Sequence, residues 1–400
     1  MRSNKLHIQL ATLMAILILL AADKQAAAQH ETVLYSFTGS GGNPAAAVVF
    51  DASGNLYGTT ARTIFKLTPQ TGGGWAENDI YMAPGSLQNV EGSPVFGPGG
   101  NLYSVTQGCC RDVNLVFELT PSGGTWTATT LYTFPDTTTH GYQPYGTPTF
   151  DSAGNIYSTT YTGGAYGNSN TGGTVYELSP QSGGGWSQRV LHSFGNGTDG
   201  SFLHGEVILD SSWNIYGTTA GGGAHGMGTV FELIHQPGGA WREKILHNFT
   251  GGVDGAGPGT GLIFDNAGNL YGTSGGGGAH SGGVVFELAP QSNGSWKETV
   301  LHSFGSGIDG NSPICTLIFD SAGNLYGTTF FGGTLSGGTA FELSPQSGGG
   351  WKEKVLHNFG ASGDGNGPLA GLTFDSAGNL YGTTQGGGSA SEGTVFQITP

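Results

Sequence analysis

Asp320-Ser-Ala-Gly-Asn-Leu-Tyr-Gly-Thr-Thr329 is one copy of a segment that this chain of 400 residues repeats along its length. Its second part, Asn-Leu-Tyr-Gly-Thr-Thr or a close variant, occurs seven times. The repeated tyrosines are Tyr57, Tyr103, Tyr157, Tyr216, Tyr271, Tyr326 and Tyr381. The last four lie 55 residues apart, and the earlier intervals are 46, 54 and 59 residues. Repeats of this length, rich in glycine and short apolar runs, are typical of propeller blades.

One repeat predicts four antiparallel strands. Residues 314–319 form an apolar strand A, and the turn that follows contains Gly323, which can adopt a positive φ. Strand B covers residues 325–329 and strand C covers 339–344. Strand D covers residues 351–359 and alternates between apolar and polar side chains, as a strand in a sheet does.

The last repeat contains strands A, B and C, but the chain ends at Pro400 before a strand D. Residues 31–37 match the strand D pattern of residues 355–359 and precede the first blade. We therefore predict an all-β, seven-bladed β-propeller of four-stranded antiparallel blades, in which the N-terminal strand completes the last blade. Closing the ring in this way covers edges that would otherwise be exposed.

The chain begins like a secretory signal peptide. Arg2 and Lys5 are followed by an apolar run over residues 10–22 and by three alanines at 26–28. We expect residues 1–28 to be removed and residues 29–400 to form a single propeller domain. The predicted blades start near residues 44, 92, 144, 203, 258, 313 and 368. This leader predicts a secreted protein, extracellular or periplasmic, with no membrane span after cleavage.

The charge of the chain excludes some partners. It has 12 Lys and Arg against 27 Asp and Glu, a net charge of −15. The leader holds three of the basic residues and one acidic residue, so the mature chain has 9 against 26, or −17. Such a surface repels nucleic acid and anionic lipid.

The chain has three cysteines, the adjacent Cys109 and Cys110 and the remote Cys315. We expect a monomer in which all three remain thiols, with a strained Cys109–Cys110 disulfide as the alternative.

Comparison of the seven repeats separates structural positions from variable ones. One position of strand D is histidine in four blades and tyrosine in three: His192, His247, His302, His357, Tyr35, Tyr81 and Tyr132. A position that accepts either ring indicates packing with one hydrogen bond. The histidines belong to outer strands of different blades, so we do not interpret them as ligands of one metal. The tryptophan that opens strand D, such as Trp296, is interpreted as core between blades, and the glutamate of strand C as a partner of Lys244 or Lys354.

Four Asp-Gly pairs follow strand D: Asp199, Asp254, Asp309 and Asp364 start them. Asp and Gly both suit tight turns, and this is the favoured interpretation. A Ca²⁺ site formed by these carboxylates is the alternative, although Ca²⁺ takes six or more oxygen ligands and each loop offers one Asp.

The D–A and B–C loops lie on one face of the predicted disc and vary between blades, as loops of a binding face do. Aromatic side chains in these loops suit stacking on sugar rings or contact with a protein. The alternative is that they cover the mouth of the channel. The candidate ligand-binding residues are His140, Tyr142, Tyr145, Tyr161, Tyr166, His204, His225, His280, Phe330 and Phe331.

No sequence motif of a catalytic site is present. There is no Gly-x-Ser-x-Gly, no His-Glu-x-x-His and no phosphate-binding Walker loop. The glycine runs lie between strands, with no helix behind them to bind phosphate. We therefore name no catalytic residue and no cofactor from the sequence.

The repeat resembles the tandem repeat named for Gloeobacter and Verrucomicrobia, the GloVer repeat of choice-of-anchor proteins. The resemblance rests on Asp-Ser-Ala-Gly-Asn-Leu-Tyr-Gly-Thr-Thr, then Gly-Gly, Gly-Thr-Val-Phe-Glu-Leu and Val-Leu-His-Ser-Phe, over most of residues 31–400. Blades 1 and 2 depart from it, since blade 1 lacks the Gly-Gly loop and Gly97 replaces the turn Asp in blade 2. The resemblance implies a secreted or surface protein. Family members often carry a C-terminal sorting anchor, but this chain ends inside a repeat and we expect it to be released.

Three functions remain open. The first is an extracellular module that binds a glycan or a protein through the D–A and B–C face. The second is an enzyme on the same face, a lyase or hydrolase of polysaccharide or lactone. It should break the repeat with a histidine, an acid and a base near the channel. The third is a purely structural surface protein without an asymmetric pocket.

Overall fold

The computed structural model describes residues 30–39, 42–84, 88–108, 114–135, 138–168 and 170–400. These residues form seven antiparallel blades arranged as a β-propeller, which confirms the predicted fold. The described residues contain no α-helix, and short 3₁₀ turns lie at Pro98–Gly100 and Thr138–His140. The predicted leader and the pair Cys109 and Cys110 lie outside the described residues.

Each blade has its strands in the order A, B, C, D from the channel outward. Blades 1 to 3 contain β2 (Val49–Phe50), β3 (Leu56–Thr59), β4 (Thr63–Pro69), β5 (Trp75–Met82), β6 (Gln88–Phe96), β7 (Leu102–Gly108), β8 (Asn114–Ser122), β9 (Thr125–Phe134), β10 (Tyr142–Pro144), β11 (Thr149–Phe150), β12 (Ile156–Thr162), β13 (Thr174–Pro180) and β14 (Trp186–Ser193). In blade 3, strand A is divided into β10 and β11, which both pair with β12.

Blades 4 to 6 are more regular. They contain β15 (Ile208–Leu209), β16 (Ile215–Thr219), β17 (Thr229–His235), β18 (Trp241–Asn248), β19 (Ile263–Phe264), β20 (Leu270–Ser274), β21 (Val284–Pro290), β22 (Trp296–Ser303), β23 (Ile318–Phe319), β24 (Leu325–Thr329), β25 (Thr339–Pro345) and β26 (Trp351–Asn358). A small separate sheet pairs β27 (Gly365–Asn366) with β30 (Gly386–Gly387).

The N-terminal strand closes the ring. Blade 7 consists of β28 (Thr373–Phe374), β29 (Leu380–Thr384), β31 (Thr394–Thr399) and, as its outer strand, β1 (His30–Ser36). Val33 lies opposite Phe396, and a bulge follows between Val33 and Tyr35. The last strand of the chain is therefore paired on both edges, as the incomplete seventh repeat predicts.

In most blades the inner strand is shorter than predicted. Strand A of blade 6 is expected over residues 314–319, but the ladder contains only β23. The preceding carbonyl groups accept hydrogen bonds from side chains of the neighbouring blade instead. The Thr273 hydroxyl donates to the Cys315 carbonyl at 3.0 Å, and Thr383 donates to the Ala46 carbonyl at 2.9 Å, across the closure of the ring. These bonds hold the channel wall in place without a full β-ladder.

The A–B turns are built around one carboxylate. In blade 6, Asp320 Oδ1 accepts the N–H groups of Ala322 and Asn324, and Oδ2 accepts the Asn324 amide and the Tyr326 hydroxyl. Burial alone would raise the pKa of Asp320, but these hydrogen bonds outweigh it and lower that pKa. Gly323 has φ 84°, as the turn predicts. The Asp turns therefore have a structural role.

The core lies between the blades. Tyr216 of blade 4 packs edge-on against Phe264 and Trp296 of blade 5, with ring centroids 5.1 and 6.3 Å apart. This confirms the tryptophans as core between blades. The cross-strand pairs also form, because Lys244 Nζ lies 3.7 Å from Glu232 and Lys354 Nζ lies 3.7 Å from Glu342.

A search of the described residues finds no helix that combines the length and the apolar character needed to cross a membrane.

Candidate functional site

The first residues of each inner strand surround a central cavity of about 470 Å³. The seven wall segments lie just before the A–B turns, at the end of the channel that carries the D–A and B–C loops. They cover residues 44–47, 90–93, 144–147, 203–206, 258–261, 313–316 and 368–371. Aligned on their common turn, these segments allow the channel lining to be compared blade by blade.

One position of the wall segment is polar in three consecutive blades and small or apolar in the other four. The second position of the wall segment is Glu91, Tyr145 and His204 in the consecutive blades 2, 3 and 4. In the remaining blades the same position holds Ala45, Gly259, Ile314 and Leu369. The fourth position is acidic only in blade 4, where it is Glu206. We call Glu91, Tyr145, His204 and Glu206 the polar arc.

A hydrogen bond fixes Glu206 across three blades. The Thr316 hydroxyl of blade 6 donates to Glu206 Oε1 at 2.7 Å, and the Gly261 N–H of blade 5 donates to the Thr316 oxygen at 3.2 Å. A Cβ at position 261 would collide with the Glu206 carboxylate. Gly261 therefore provides the space in which Glu206 reaches its partner.

Aromatic side chains pack around His204. Tyr161, at the end of β12, stacks on the His204 ring with centroids 4.5 Å apart, and Tyr145 lies at 5.0 Å from the same ring. The Phe202 ring packs against the Tyr161 ring, with centroids 5.3 Å apart. We call Tyr145, Tyr161, Phe202 and His204 the aromatic cluster. Its packing fixes the orientation of the imidazole beside the channel.

Burial changes the protonation of the polar arc. It raises the pKa of Glu91 to about 7, in spite of a hydrogen bond from Asn89 that acts in the opposite direction. Burial lowers the pKa of His204. Burial first, and the nearby Glu91 and Tyr161 second, raise the pKa of Tyr145. Near pH 7 the arc thus contains a neutral imidazole, a protonated phenol and a carboxyl close to its own pKa, a set that can both donate and accept protons.

The structure brings together three of the ten predicted binding residues, namely Tyr145, Tyr161 and His204. Tyr142 is half-buried in β10, opposite Thr162. His140 is exposed, and its carbonyl accepts a hydrogen bond from Gln188 at 2.9 Å. Neither of these two side chains lines the channel cavity.

The other five predicted binding residues lie on the loops. Tyr166 is 58% exposed, and His225 and His280 are exposed on their B–C loops. Phe330 and Phe331 pack edge-on against each other with centroids 4.4 Å apart. These residues are spread over blades 3 to 6 and do not form a single cluster with the channel.

The four Asp-Gly aspartates do not lie in the channel lining. Each contacts the histidine of its own strand D, so the four carboxylates occupy four separate places. The Nε2 to Oδ2 distances are 3.5, 3.3, 3.2 and 3.0 Å for His192–Asp199, His247–Asp254, His302–Asp309 and His357–Asp364. The Ca²⁺ alternative remains a prediction, with an imidazole nitrogen beside each carboxylate.

Sequence reasoning missed Glu91, Glu206 and Phe202. The signal for the two glutamates was present, since each is an acid at a position that small or apolar residues occupy in most other blades. It emerges when the wall segments are aligned on the turn that follows them. No comparable signal marks Phe202.

Comparisons with known proteins agree with this architecture. The sequence model of the Gloeobacter/Verrucomicrobia repeat matches residues 89–313 and 234–400. No curated protein sequence matches the chain. Virginiamycin B lyase from Staphylococcus aureus has a similar structure, with a TM-score of 0.56, 15% identity, and coverage of 93% of this chain and 99% of the lyase.

Two further solved structures are similar at the level of the fold. One is the extracellular domain of a protein described as a hybrid two component system from B. thetaiotaomicron, with a TM-score of 0.57 and 14% identity; the match covers 93% of this chain and 42% of that one. The other is a protein from Lactobacillus plantarum, with a TM-score of 0.54 and 13% identity, covering 93% and 99%. At such identities the similarity concerns the propeller alone.

Proposed function

We propose that this chain, a member of the Gloeobacter/Verrucomicrobia repeat family, is an extracellular binding protein. The reason is that the residues of its channel wall differ from the repeat pattern on one side of the channel only. Its ligand is a small polar molecule of the saccharide class, held at the channel mouth. Extracellular location follows from the predicted leader and is compatible with the extracellular domain among the similar structures. The ligand is recognised by the polar arc and the aromatic cluster.

The observation that carries this proposal is the asymmetry of the channel. Three consecutive blades contribute Glu91, Tyr145 and His204 at a wall position that is small or apolar in the other four blades. A sugar presents hydroxyl groups at its edge and C–H groups on its ring faces. Carboxylates, phenol and imidazole match the first, and aromatic rings match the second. A cavity of about 470 Å³ is of the size that binds a small molecule.

A specific observation also favours a second candidate, an enzyme acting at the same place. The polar arc puts a carboxyl with a pKa of about 7 and a neutral imidazole on neighbouring parts of one wall. This is the combination of histidine, acid and base that we expect of a lyase or hydrolase, because a group titrating near the working pH is an efficient proton donor or acceptor. The resemblance to a lyase is one of fold and does not transfer a reaction.

The two candidates and the structural alternative can be separated by thermal unfolding of the mature protein, residues 29–400. The panel contains neutral saccharides, uronic acids and lactones. A ligand that binds only the folded protein raises the melting temperature. We expect a saccharide to do so, and we expect Tyr161→Ala and His204→Ala to abolish the shift.

Tyr166→Ala is the matched control, because this exposed tyrosine lies outside the channel. If the ligand no longer raised the melting temperature of Tyr166→Ala but still raised that of the channel variants, the result would contradict a channel site. Consumption of a panel compound by the wild-type protein, but not by Glu91→Gln, would favour the enzyme. No shift with any compound would favour the structural protein or a protein partner.

A further inference from the structure

Four of the seven junctions between neighbouring blades carry the same three side chains on their outer strands. Blade n provides the histidine of strand D and the aspartate seven residues later. Blade n+1 provides a glutamate of its own strand D. The junction of blades 3 and 4 contains His192, Asp199 and Glu243, and that of blades 6 and 7 contains His357, Asp364 and Glu31 of β1.

The other two junctions of this kind have the same composition. They contain His247, Asp254 and Glu298 between blades 4 and 5, and His302, Asp309 and Glu353 between blades 5 and 6. Burial, and after it the negative charge of Asp254, raises the pKa of Glu298. Burial and the charge of Asp309 raise the pKa of Glu353 in the same way. At these two junctions the glutamate therefore lies near the aspartate electrostatically, but the three donor atoms do not come as close together as at junctions 3/4 and 6/7.

The histidine and the aspartate change together within the chain. Where strand D has tyrosine instead of histidine, the position seven residues later is Gly42, Gln88 or Thr139, and no aspartate is present. The facing positions in those junctions are Glu77, Ala128 and Gln188. Tyr35 donates a hydrogen bond to Glu77 at 3.3 Å, which is sufficient to satisfy that carboxylate. Histidine and aspartate therefore occur as a pair that a turn alone does not require, and each of the four pairs faces a glutamate, a set that we call a His–Asp–Glu unit.

The geometry of the unit is that of a cation site. In the junctions of blades 3/4 and 6/7, one nitrogen or oxygen from each of the three residues lies within 4.8 Å of the other two. His192 Nε2 is 3.5 Å from Asp199 Oδ2 and 3.9 Å from Glu243 Oε2. Ligands bonded to Zn²⁺ at about 2.0–2.2 Å are separated from each other by roughly 3–3.6 Å. A small inward movement of Glu243 would complete the arrangement.

Several of these polar atoms are shielded from solvent and have no hydrogen-bond partner. They are Oε1 of Glu31, Glu243, Glu298 and Glu353. Such groups are rare in folded proteins, and an unseen ion or water is one of the usual reasons for them. The same kind of atom is orphaned at all four junctions, so the cause is shared by the repeat and is not an accident of one loop.

Main-chain hydrogen bonds orient Asp199 and Asp309 toward their histidines. Asp199 Oδ1 accepts the Gly195 N–H at 3.0 Å, and Asp309 Oδ1 accepts the Gly305 N–H at 3.1 Å. In both, Oδ2 is the atom that faces the histidine. Hydrogen bonds to the second oxygen of a ligating carboxylate are what fixes it in metal sites.

Each unit combines two carboxylates with one imidazole. Among the described residues, the ion pairs of these aspartates and glutamates are with histidine alone, whereas the Lys and Arg pairs involve the strand C glutamates. Burying like charges together is unfavourable unless a cation or a proton compensates.

We propose that the His–Asp–Glu units at junctions 3/4 and 6/7, whose three donor atoms lie within 4.8 Å of one another, are sites for a divalent cation of the Zn²⁺ class. Imidazole together with carboxylates suits Zn²⁺ better than Ca²⁺, which takes an all-oxygen set. Each cation joins one blade to the next. At junction 6/7 it joins blade 6 to Glu31 and so attaches the N-terminal strand that closes the ring.

The test is metal binding by the mature protein without a purification tag. The protein is stripped with a chelator, dialysed against ZnCl₂ and analysed for bound metal. We expect at least about two Zn²⁺ per chain, and a higher melting temperature with Zn²⁺ than without it. Glu31→Gln and Glu243→Gln keep the size of the side chain and should each lose about one equivalent.

Glu77→Gln is the matched control, because Glu77 occupies the same strand position at a junction that has tyrosine instead of histidine. It should leave Zn²⁺ uptake unchanged. The melting temperature of each variant in chelator verifies that it is folded. Absence of Zn²⁺ uptake by the wild type, equal uptake by the Glu31→Gln/Glu243→Gln double variant, or binding of Ca²⁺ in preference to Zn²⁺ would overturn the proposal. The units would then share protons instead of a metal.

Discussion

Glu91 and His204 face the same channel, and burial moves their pKa values in opposite directions. Each shift favours the neutral form, which is what a low-dielectric wall imposes on any ionisable group. The wall therefore contains a neutral imidazole and a carboxyl that titrates near pH 7, and a ligand can bind both through hydrogen bonds. This property belongs to individual residues, since the equivalent positions in other blades are Ala45, Ile314 and Leu369.

Glu91→Gln should change the pH dependence of stability. The folded pKa of Glu91 is about 7, above its unfolded value of 4.5, so its stabilising contribution is present below pH 4.5 and is lost as pH rises through 7. Glutamine cannot ionise and keeps its contribution. Without ligand, we expect the melting temperature of the variant relative to wild type to be a few degrees higher at pH 8 than at pH 5. The difference corresponds to at most about 3 kcal/mol. If the difference in melting temperature between the variant and the wild type were the same at pH 5 and pH 8, the result would contradict the burial of Glu91.

The channel residues show why a site of this kind is difficult to predict. Tyr145 was predicted from its place in a loop, but so was Tyr142, three residues earlier, which the structure places outside the channel lining. Glu91 and Glu206 are 115 residues apart and each is unremarkable alone. Only the arrangement of the blades around a common axis brings their segments to one cavity. Residues that recur in every repeat are structural, whereas the channel site consists of residues at which single blades differ from the repeat.

At the scale of elements, the A–B turn is the most predictable part of the blade. The turn sequence predicted both a tight turn and the positive φ of Gly323, and both are present. The inner strand was less predictable, because its backbone is satisfied by threonine side chains of the preceding blade, and such bonds leave no periodic pattern in the strand itself.

Asp320→Ala should destabilise the protein through this turn. The substitution removes the acceptor of two main-chain N–H groups, the Asn324 amide and the Tyr326 hydroxyl. Because some of these donors are shielded from water, we expect a loss of about 2–3 kcal/mol in the free energy of unfolding, measured with guanidinium chloride. Ser321→Ala, at an exposed position of the same turn, should have little effect. Equal stability of the Asp320→Ala variant and wild type would show that the turn is maintained by its neighbours.

At the scale of the whole molecule, the seven repeated tyrosines predicted the number of blades, and the incomplete last repeat predicted how the ring closes. Both follow from counting strands and from the need to pair every edge. The fold was therefore almost completely predictable. The contents of the channel were not, since seven similar blades would also form a propeller without any polar arc.

Removal of β1 should open the ring. A chain starting at residue 38 lacks Phe37, which is 4% exposed in the core between blades 7 and 1, and leaves the outer edge of β31 unpaired. We expect a lower melting temperature, by ten degrees or more, and association of the exposed edges. Size-exclusion chromatography and calorimetry against residues 29–400 would measure both effects. A monomeric truncated chain that unfolds like the longer one would show that closure contributes little.

The central claim is that the ligand binds in the channel, at the side where the wall residues differ from the repeat. The most direct measurement is a crystal structure of the mature protein with the saccharide that raises its melting temperature most. The account predicts ligand density in the channel, in contact with Tyr145, His204 and at least one of Glu91 and Glu206. Density on the outer loops around Tyr166 or Phe331, with an empty channel, would contradict it.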